Sequence, residues 1–417
     1  GHAGHHIPPG GQPGARVCET PSVPTPDAPE PLRAAWRDWC DRLATLGDEV
    51  VAPPFPDGDD DRVDAIAHLA EQVLCWTGWS VFHADPRRPR FMRQNDLITQ
   101  WGGPNADNVY RHTRIDPARR YRITGRMHSC EEFMLAIRCG FMHEPRWGTV
   151  HEVSATDLGI GPGDDFELIL GGDDTGGRWV PLPEGAVMAS FREYYYDWAA
   201  AEPAVMVVEC LDDDVDAPAP RLTAADVVAR LARAADGVEH SVRNWNDYLR
   251  EHRARGTDNV LAPPMAVAKG LDAARYAFCF WDLGPDEAVV IETTVPAARY
   301  WSLQAYELGT YELVDVTEHQ ASLNHRQVTV DPDGLVRFVL ARRDPGVANW
   351  LDLGDRAEGL ATLRWFWSEG DPEYSSRTVA LADLDAVLPS GTVRVSPADR
   401  AATMADRRRH LGWRFRT

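Results

Sequence analysis

The sequence predicts a mainly β protein: two tandem β-sandwich or jelly-roll-like units, with a helical segment before the first and a helical insertion between them. Three observations carry this. The chain repeats itself: TRIDPARRYRITGRM (113–127) returns as ETTVPAARYWSLQAY (292–306), with Pro117/Pro296 and Tyr121/Tyr300 both 179 positions apart. A second correspondence follows in the same order. GDDFELIL and FREYYYDW return as DGLVRFVL and LRWFW, matching Phe166 with Val336, Trp179 with Trp350 and Arg192 with Arg364. Finally, Phe166, Leu168 and Leu170 alternate with Glu167 and Ile169 between the turn-forming strings GPGDD and GGDDTGG, which is the period of a strand. Each repeat spans about a hundred residues, the size of a sandwich domain.

Taken in order, residues 1–30 are rich in Gly, Pro and His and are expected to form a disordered leader. A helical segment, 31–104, should hold two helices. The first carries Leu32, Ala35, Trp36, Trp39 and Leu43 at helical spacing. The second carries Val63, Ile66, Leu69, Ala70, Val73 and Leu74 behind Asp59–Asp61, an acidic start that suits a helix N-terminus. Residues 85–103 read as a loop into the first β unit, 105–220, which closes on an acidic, Pro-rich linker at 212–220. The connector, 221–276, opens with the capping box Thr223–Asp226 and carries Val227, Leu231, Val238, Val242, Trp245 and Leu249 towards a stop at Gly256. The second β unit covers 277–398, and 399–417 read as a short polar tail.

Composition bounds the function. With 44% hydrophobic residues and 15 Trp, the 417-residue chain can fill packed cores. A net charge of −21 disfavours nucleic acid and anionic membrane surfaces as partners. Lys269 is the sole lysine, and the basic run Arg407–Arg409 is too short to reverse that balance. No apolar stretch approaches the ~18 residues of a membrane span. Seven scattered cysteines without C-x-x-C fit reduced thiols, and no signal core stands at the start; both point to the cytoplasm. The partners expected are a small-molecule or carbohydrate ligand and a second copy in a homo-oligomer.

Several segments carry a family resemblance. PNADNVY (104–110) resembles the opening N-P-D-N/T-x-Y motif of the bacterial family called domain of unknown function 1214, with Ala106 where proline is usual. FREYYYDW (191–198), RYWSLQAY (299–306), DPGVANWLDLG (344–354) and LRWFW (363–367) resemble further segments of that family, in order. The resemblance runs from about Asn105 to Pro389 and implies paired jelly-roll-like domains and an actinobacterial style of protein, with no established activity.

Among candidate site residues, Asn105, Asp107 and Tyr110 form either a turn, since Asn and Asp bond their own backbone, or a polar cluster at a sandwich mouth. If 191–198 is a strand, Arg192, Tyr194, Tyr196 and Trp198 share one face, and Phe191, Glu193, Tyr195 and Asp197 the other. That cationic and aromatic stripe suits a sugar or an anionic ring; the alternative is an arginine–carboxylate brace, which the duplicate Arg364 favours. Trp301 and Asn349 complete the binding candidates, Asn349 being peculiar to the second repeat. His128, His143 and His151, with Glu144 and Glu152, are where a metal would sit, but no compact ligand spacing is present, so neither metal nor cofactor is expected. Two functions follow. One is an enzyme acting on a small polar or sugar-like substrate between the units, with Asp107 or Asp197 as acid or base, helped by Tyr110. Arg192 and Arg364 would then clamp an anion. The other is a non-catalytic carbohydrate-binding or assembly module.

Overall fold

The computed structural model describes residues 1, 30–174, 176–200, 202–212 and 218–416. Most of the expected leader and the middle of the acidic linker lie outside these residues. In the first β unit, β1 (Asn108–Arg114), β7 (Met188–Tyr194), β3 (Glu132–Arg138) and β4 (Thr149–Ser154) form one sheet in that order. A second sheet runs β6 (Trp179–Val180), β5 (Asp165–Leu170), β2 (Tyr121–Arg126), β8 (Val205–Cys210).

Adding eight to each strand number yields the second unit. Its sheets run β9 (Ala274–Asp282), β15 (Glu358–Ser368), β11 (Ala298–Tyr306), β12 (Ser322–Asn324), and β14 (Trp350–Asp352), β13 (Leu335–Ala341), β10 (Glu287–Thr294), β16 (Tyr374–Ala380). Registers repeat too. Ile169 pairs in parallel with Trp179, as Val339 does with Trp350. Tyr110 faces Arg192 across β1 and β7, as Tyr276 faces Arg364 across β9 and β15. The second sequence correspondence therefore coincides with the strand order. The first is one strand out of step, because Tyr121 opens β2 whereas Tyr300 lies in β11, the counterpart of β3. What those two strings share is a proline turn leading into a strand, a local signal that does not mark the unit.

The sheet of β1, β7, β3 and β4 is covered on both faces, which is why β3 is buried along its whole length. Phe133, Leu135 and Ile137 point into the first unit's own core, while Met134 and Ala136 join Tyr194, Tyr300 and Phe366 in a cluster between the units. In β15, Leu363 and Trp365 belong to the main core and Phe366 to the inter-unit cluster. The strand period thus sends Arg192 and Arg364 towards the other unit rather than towards solvent. At ~25 cal/mol per Å² of apolar surface removed from water, such two-sided burial is the main force joining the units.

Helices complete the fold. α1 (Glu30–Val50) and α2 (Asp59–Thr77) pack with α3 (Ala224–Arg255), whose N-terminus has the expected Thr223–Asp226 capping box and which ends at Gly256. The buried face of α2 differs from the apolar stripe read in the sequence. Val63, Ile66 and Leu74 are exposed, whereas His68, Leu69, Gln72, Cys75 and Trp76 are buried. Polar partners decide this: Gln72 donates to the Gln100 carbonyl and accepts from Trp76 and Ser241, and His68 meets Glu312. A single turn, α4 (Leu384–Val387), precedes α5 (Pro397–Phe415). α5 replaces the expected polar tail, because its polar residues Arg400, Arg407, His410 and Arg414 are the buried ones. No helix among the described residues is long and apolar enough to cross a membrane.

Candidate functional site

A cavity of about 110 Å³ lies where the two inner sheets meet α3 and the loop before β1. One water needs roughly 10–15 Å³ on such a measure, and a cavity of about 150 Å³ holds benzene, so this space suits a small molecule. Gly102 and Gly103 bring the loop against it at φ +67° and +63°. A Cβ would approach Trp245 to 2.7 Å at Gly102 and Tyr311 to 2.4 Å at Gly103, so glycine is required at both. Aromatic walls come from Trp101, Trp245, Tyr248, Phe278 and Tyr311, with Trp101 stacked on Trp245 at 6.3 Å.

Three arginines line the same space: Arg138, Arg192 and Arg364. No carboxylate lines it, and none of the three makes an ion pair among the described residues. The guanidinium groups of Arg192 and Arg364 lie 5.7 Å and 5.8 Å from the ring centres of Tyr110 and Tyr276, their cross-strand partners. Arg364 also donates to the Tyr306 hydroxyl and, at 3.4 Å, to the Gly103 carbonyl. Arg138 and Arg192 donate no side-chain hydrogen bond to any described residue. Burial pushes the Arg138 guanidinium down to about 10, and the like charge of Arg192 adds to that, so it stays cationic at neutral pH. Four donors, Arg138 Nε, Arg364 Nε, Trp101 Nε1 and Trp245 Nε1, are buried without an acceptor. His112 shares the wall with Nδ1 unpartnered; burial, then Arg138 and Arg192, hold it neutral by driving its pKa well below the usual histidine range.

A separate polar network sits behind Tyr110. Asp107 is fully buried; its carboxylate accepts from Trp198 Nε1 (2.8 Å), Asn324 Nδ2 (2.6 Å) and the Tyr300 hydroxyl (2.6 Å). Asn105 Oδ1 accepts from the Asp107 amide and from Gln304 Nε2, and the Asn105 amide donates to the Tyr110 hydroxyl at 2.8 Å. Arg414 of α5 donates to the Ala106 carbonyl at 2.5 Å, and Arg407 stacks over Trp198 at 4.2 Å and donates to Ser322. The segment is a turn, and its polar groups bind the first unit to the second and to α5 rather than opening at a mouth.

Of the residues singled out in the sequence, the structure brings Tyr110, Arg192 and Arg364 together at the cavity. Asn105 and Asp107 stand behind it, sealed in the bracing network. β7 ends at Tyr194, so Tyr196 and Asp197 lie past the strand that was to order them. Asp197 is exposed and accepts from the Ala199 amide in a turn, leaving it no route to the cavity. Tyr194 and Tyr196 pack on Tyr300 with their hydroxyls unpartnered. Trp301 faces Phe338 within the second unit's core, and Asn349 exchanges hydrogen bonds with Thr329. His128, His143 and His151 do not converge, and no group of three or more metal-ligating side chains assembles among the described residues. His143 instead packs among Trp76, Trp101 and Phe141. Arg138, Tyr276 and His112 were missed. An arginine closing the apolar run EFMLAI was the available signal for Arg138.

Residues 287–369 match the model of a family described as a protein of unknown function, DUF1214. Over these residues the chain is similar to the DUF1214 family. The matched span holds RYWSLQAY, DPGVANWLDLG and the strand bearing Arg364, but not Arg138 or Arg192. A crystal structure of an uncharacterized protein from Burkholderia cenocepacia is similar over 84% of this chain and 98% of its own, with 26% identity and a TM-score of 0.78. A Vibrio parahaemolyticus protein aligns over 75% of this chain and 98% of its own at 13% identity and a TM-score of 0.42. No curated protein matches the chain.

Proposed function

We propose that the chain binds a small organic anion in the cavity between its β units. One observation carries this: three arginines line an aromatic pocket that contains no carboxylate. Taking an ion out of water costs several kcal/mol unless a partner compensates it. Arginine cannot escape by losing its proton at neutral pH, so an anion from outside is the natural complement. The unpartnered indole and guanidinium donors ask for oxygen acceptors, and the ring walls for an apolar body. Such an interior pocket favours a compact molecule over the flat surface expected of a glycan-binding or assembly module. The common strand order and registers further support descent of the two units from one duplicated ancestor.

Catalysis on the bound anion is a second reading, and His112 is what favours it. It lies on the cavity wall with Nδ1 unpartnered, and an anion bound to the neighbouring arginines would offset the charges that depress its basicity, letting it take a proton where Asp107 and Asp197 cannot reach. The test of binding is a thermal-shift screen of small carboxylates and phosphate esters against their neutral amides and alcohols. Stabilisation by anions only, weakened by salt, is the expected result; equal response to neutral analogues would remove the proposal.

A further inference from the structure

Resting on the anion-binding reading, we infer that the occupant is a compact organic dianion, a dicarboxylate or phosphate monoester, whose doubly charged portion sits on Arg138 and Arg192 while Arg364 belongs to the scaffold. The argument comes from comparing equivalent positions. Arg192 on β7 lies opposite Met134 of β3, and Arg138 of β3 lies opposite Met188 of β7. In the second unit, Arg364 lies opposite Ser302 and Tyr306 opposite Leu360, at the same spacing. Tyr306 therefore holds the position that Arg138 holds in the first unit. Arg364 and Tyr306 are hydrogen-bonded, so the fold lets side chains at these two positions meet. In the first unit the same positions supply two guanidinium groups.

Arg364 has protein partners: it donates to the Tyr306 hydroxyl and the Gly103 carbonyl and lies beside the faces of Tyr276 and Tyr306, although its Nε is left without an acceptor. Arg138 and Arg192 donate a side-chain hydrogen bond to no described residue, and Arg192 has only the Tyr110 ring face beside it. A singly charged ligand leaves one of that pair uncompensated in a low-dielectric space, and a doubly charged one neutralises both. Guanidinium pairs also match the paired oxygens of carboxylate and phosphate. The size of the cavity, about 110 Å³, limits the body to a few carbons.

The test is titration calorimetry of the full chain at low salt with succinate, monomethyl succinate and dimethyl succinate, which share a skeleton and differ in charge. Ethyl phosphate and diethyl phosphate form the parallel phosphate pair. The dianion of at least one series should bind about tenfold or more tightly than its monoanion, and dimethyl succinate should not bind. The tighter series names the head group. Arg138→Met should reduce the dianion to the affinity of its monoester, Arg138→Lys should retain part of the preference, and Arg364→Met should leave the ratio of the two affinities unchanged. Equal affinity for dianion and monoanion in the unaltered protein overturns the dianion inference and leaves anion binding standing. Absence of saturable binding by every anion overturns both.

Discussion

The two walls of the cavity are the same structure with different electrostatics. Each contributes a cross-strand tyrosine–arginine pair, Tyr110 with Arg192 and Tyr276 with Arg364. Two further positions separate them: the first unit has His112 and Arg138 where the second has Phe278 and Tyr306. On the second wall, the tyrosine hydroxyl accepts from the arginine and the phenylalanine closes the surface. On the first, a second arginine leaves both cations without an acceptor, beside an imidazole that also lacks a partner at Nδ1. A buried arginine is therefore not functional by virtue of burial alone. What distinguishes the two is whether the fold supplies its hydrogen-bond acceptors.

That contrast can be broken experimentally, beginning with the clamp that holds the walls together. Asp107→Ala strands the Trp198 indole N–H, takes one acceptor each from Tyr300 and Asn324, and should cost about 3–5 kcal/mol in urea unfolding. Anion affinity of the folded fraction should be unchanged; a selective loss of affinity without loss of stability would return Asp107 to the site. Arg364→Met should cost about 2–3 kcal/mol, because it leaves the buried Tyr306 hydroxyl and Gly103 carbonyl short of a donor. Arg138→Met has the opposite sign: removing a buried cation without an acceptor should stabilise the ligand-free protein by about 1–2 kcal/mol while abolishing the extra stabilisation that a dianion gives over its monoanion. If both arginine variants destabilise alike, the proposed difference between the walls is wrong.

A smaller effect sharpens the comparison from outside the cavity, where α2 meets the second unit. There the misfit is acidic. Burial, then the charge of Glu312, pushes Glu71 up to about 8, and burial also carries Glu307 to about 8. Both carboxyls hold an extra proton in the folded state between the ordinary value of 4.5 and about 8. Their contribution to stability is complete below about 4.5 and is lost as pH rises through about 8. Unfolding midpoints measured across pH 5 to 8 should fall, and Glu71→Gln should flatten the slope. An unchanged slope in that variant would assign the pH dependence elsewhere.

Much of this architecture could be read from the chain. Alternation in Phe166–Leu170, the Thr223 capping box and the second repeat are local patterns with local causes, and each has its counterpart in the fold. What failed were inferences that needed the partner surface. α2 presents His68 and Gln72 inward because Glu312 and Gln100 are waiting there, which no helical periodicity reveals. Arg192 and Arg364 were correctly paired by repetition, yet repetition alone favoured a shared bracing role. Their difference lies in Arg138 and Tyr306, on neighbouring strands whose equivalence the misaligned first repeat had concealed.

The position of α5 in the chain order has a consequence for biogenesis. Both β units are synthesised before it, yet Arg407 and Arg414 reach the junction around Asp107 only from this helix. On the ribosome, the two units can each form a core and meet as they emerge, but the polar junction between them is completed only by a segment that follows both. A chain that has not yet made α5 would leave the Ala106 carbonyl and the Ser322 hydroxyl without these two arginine donors.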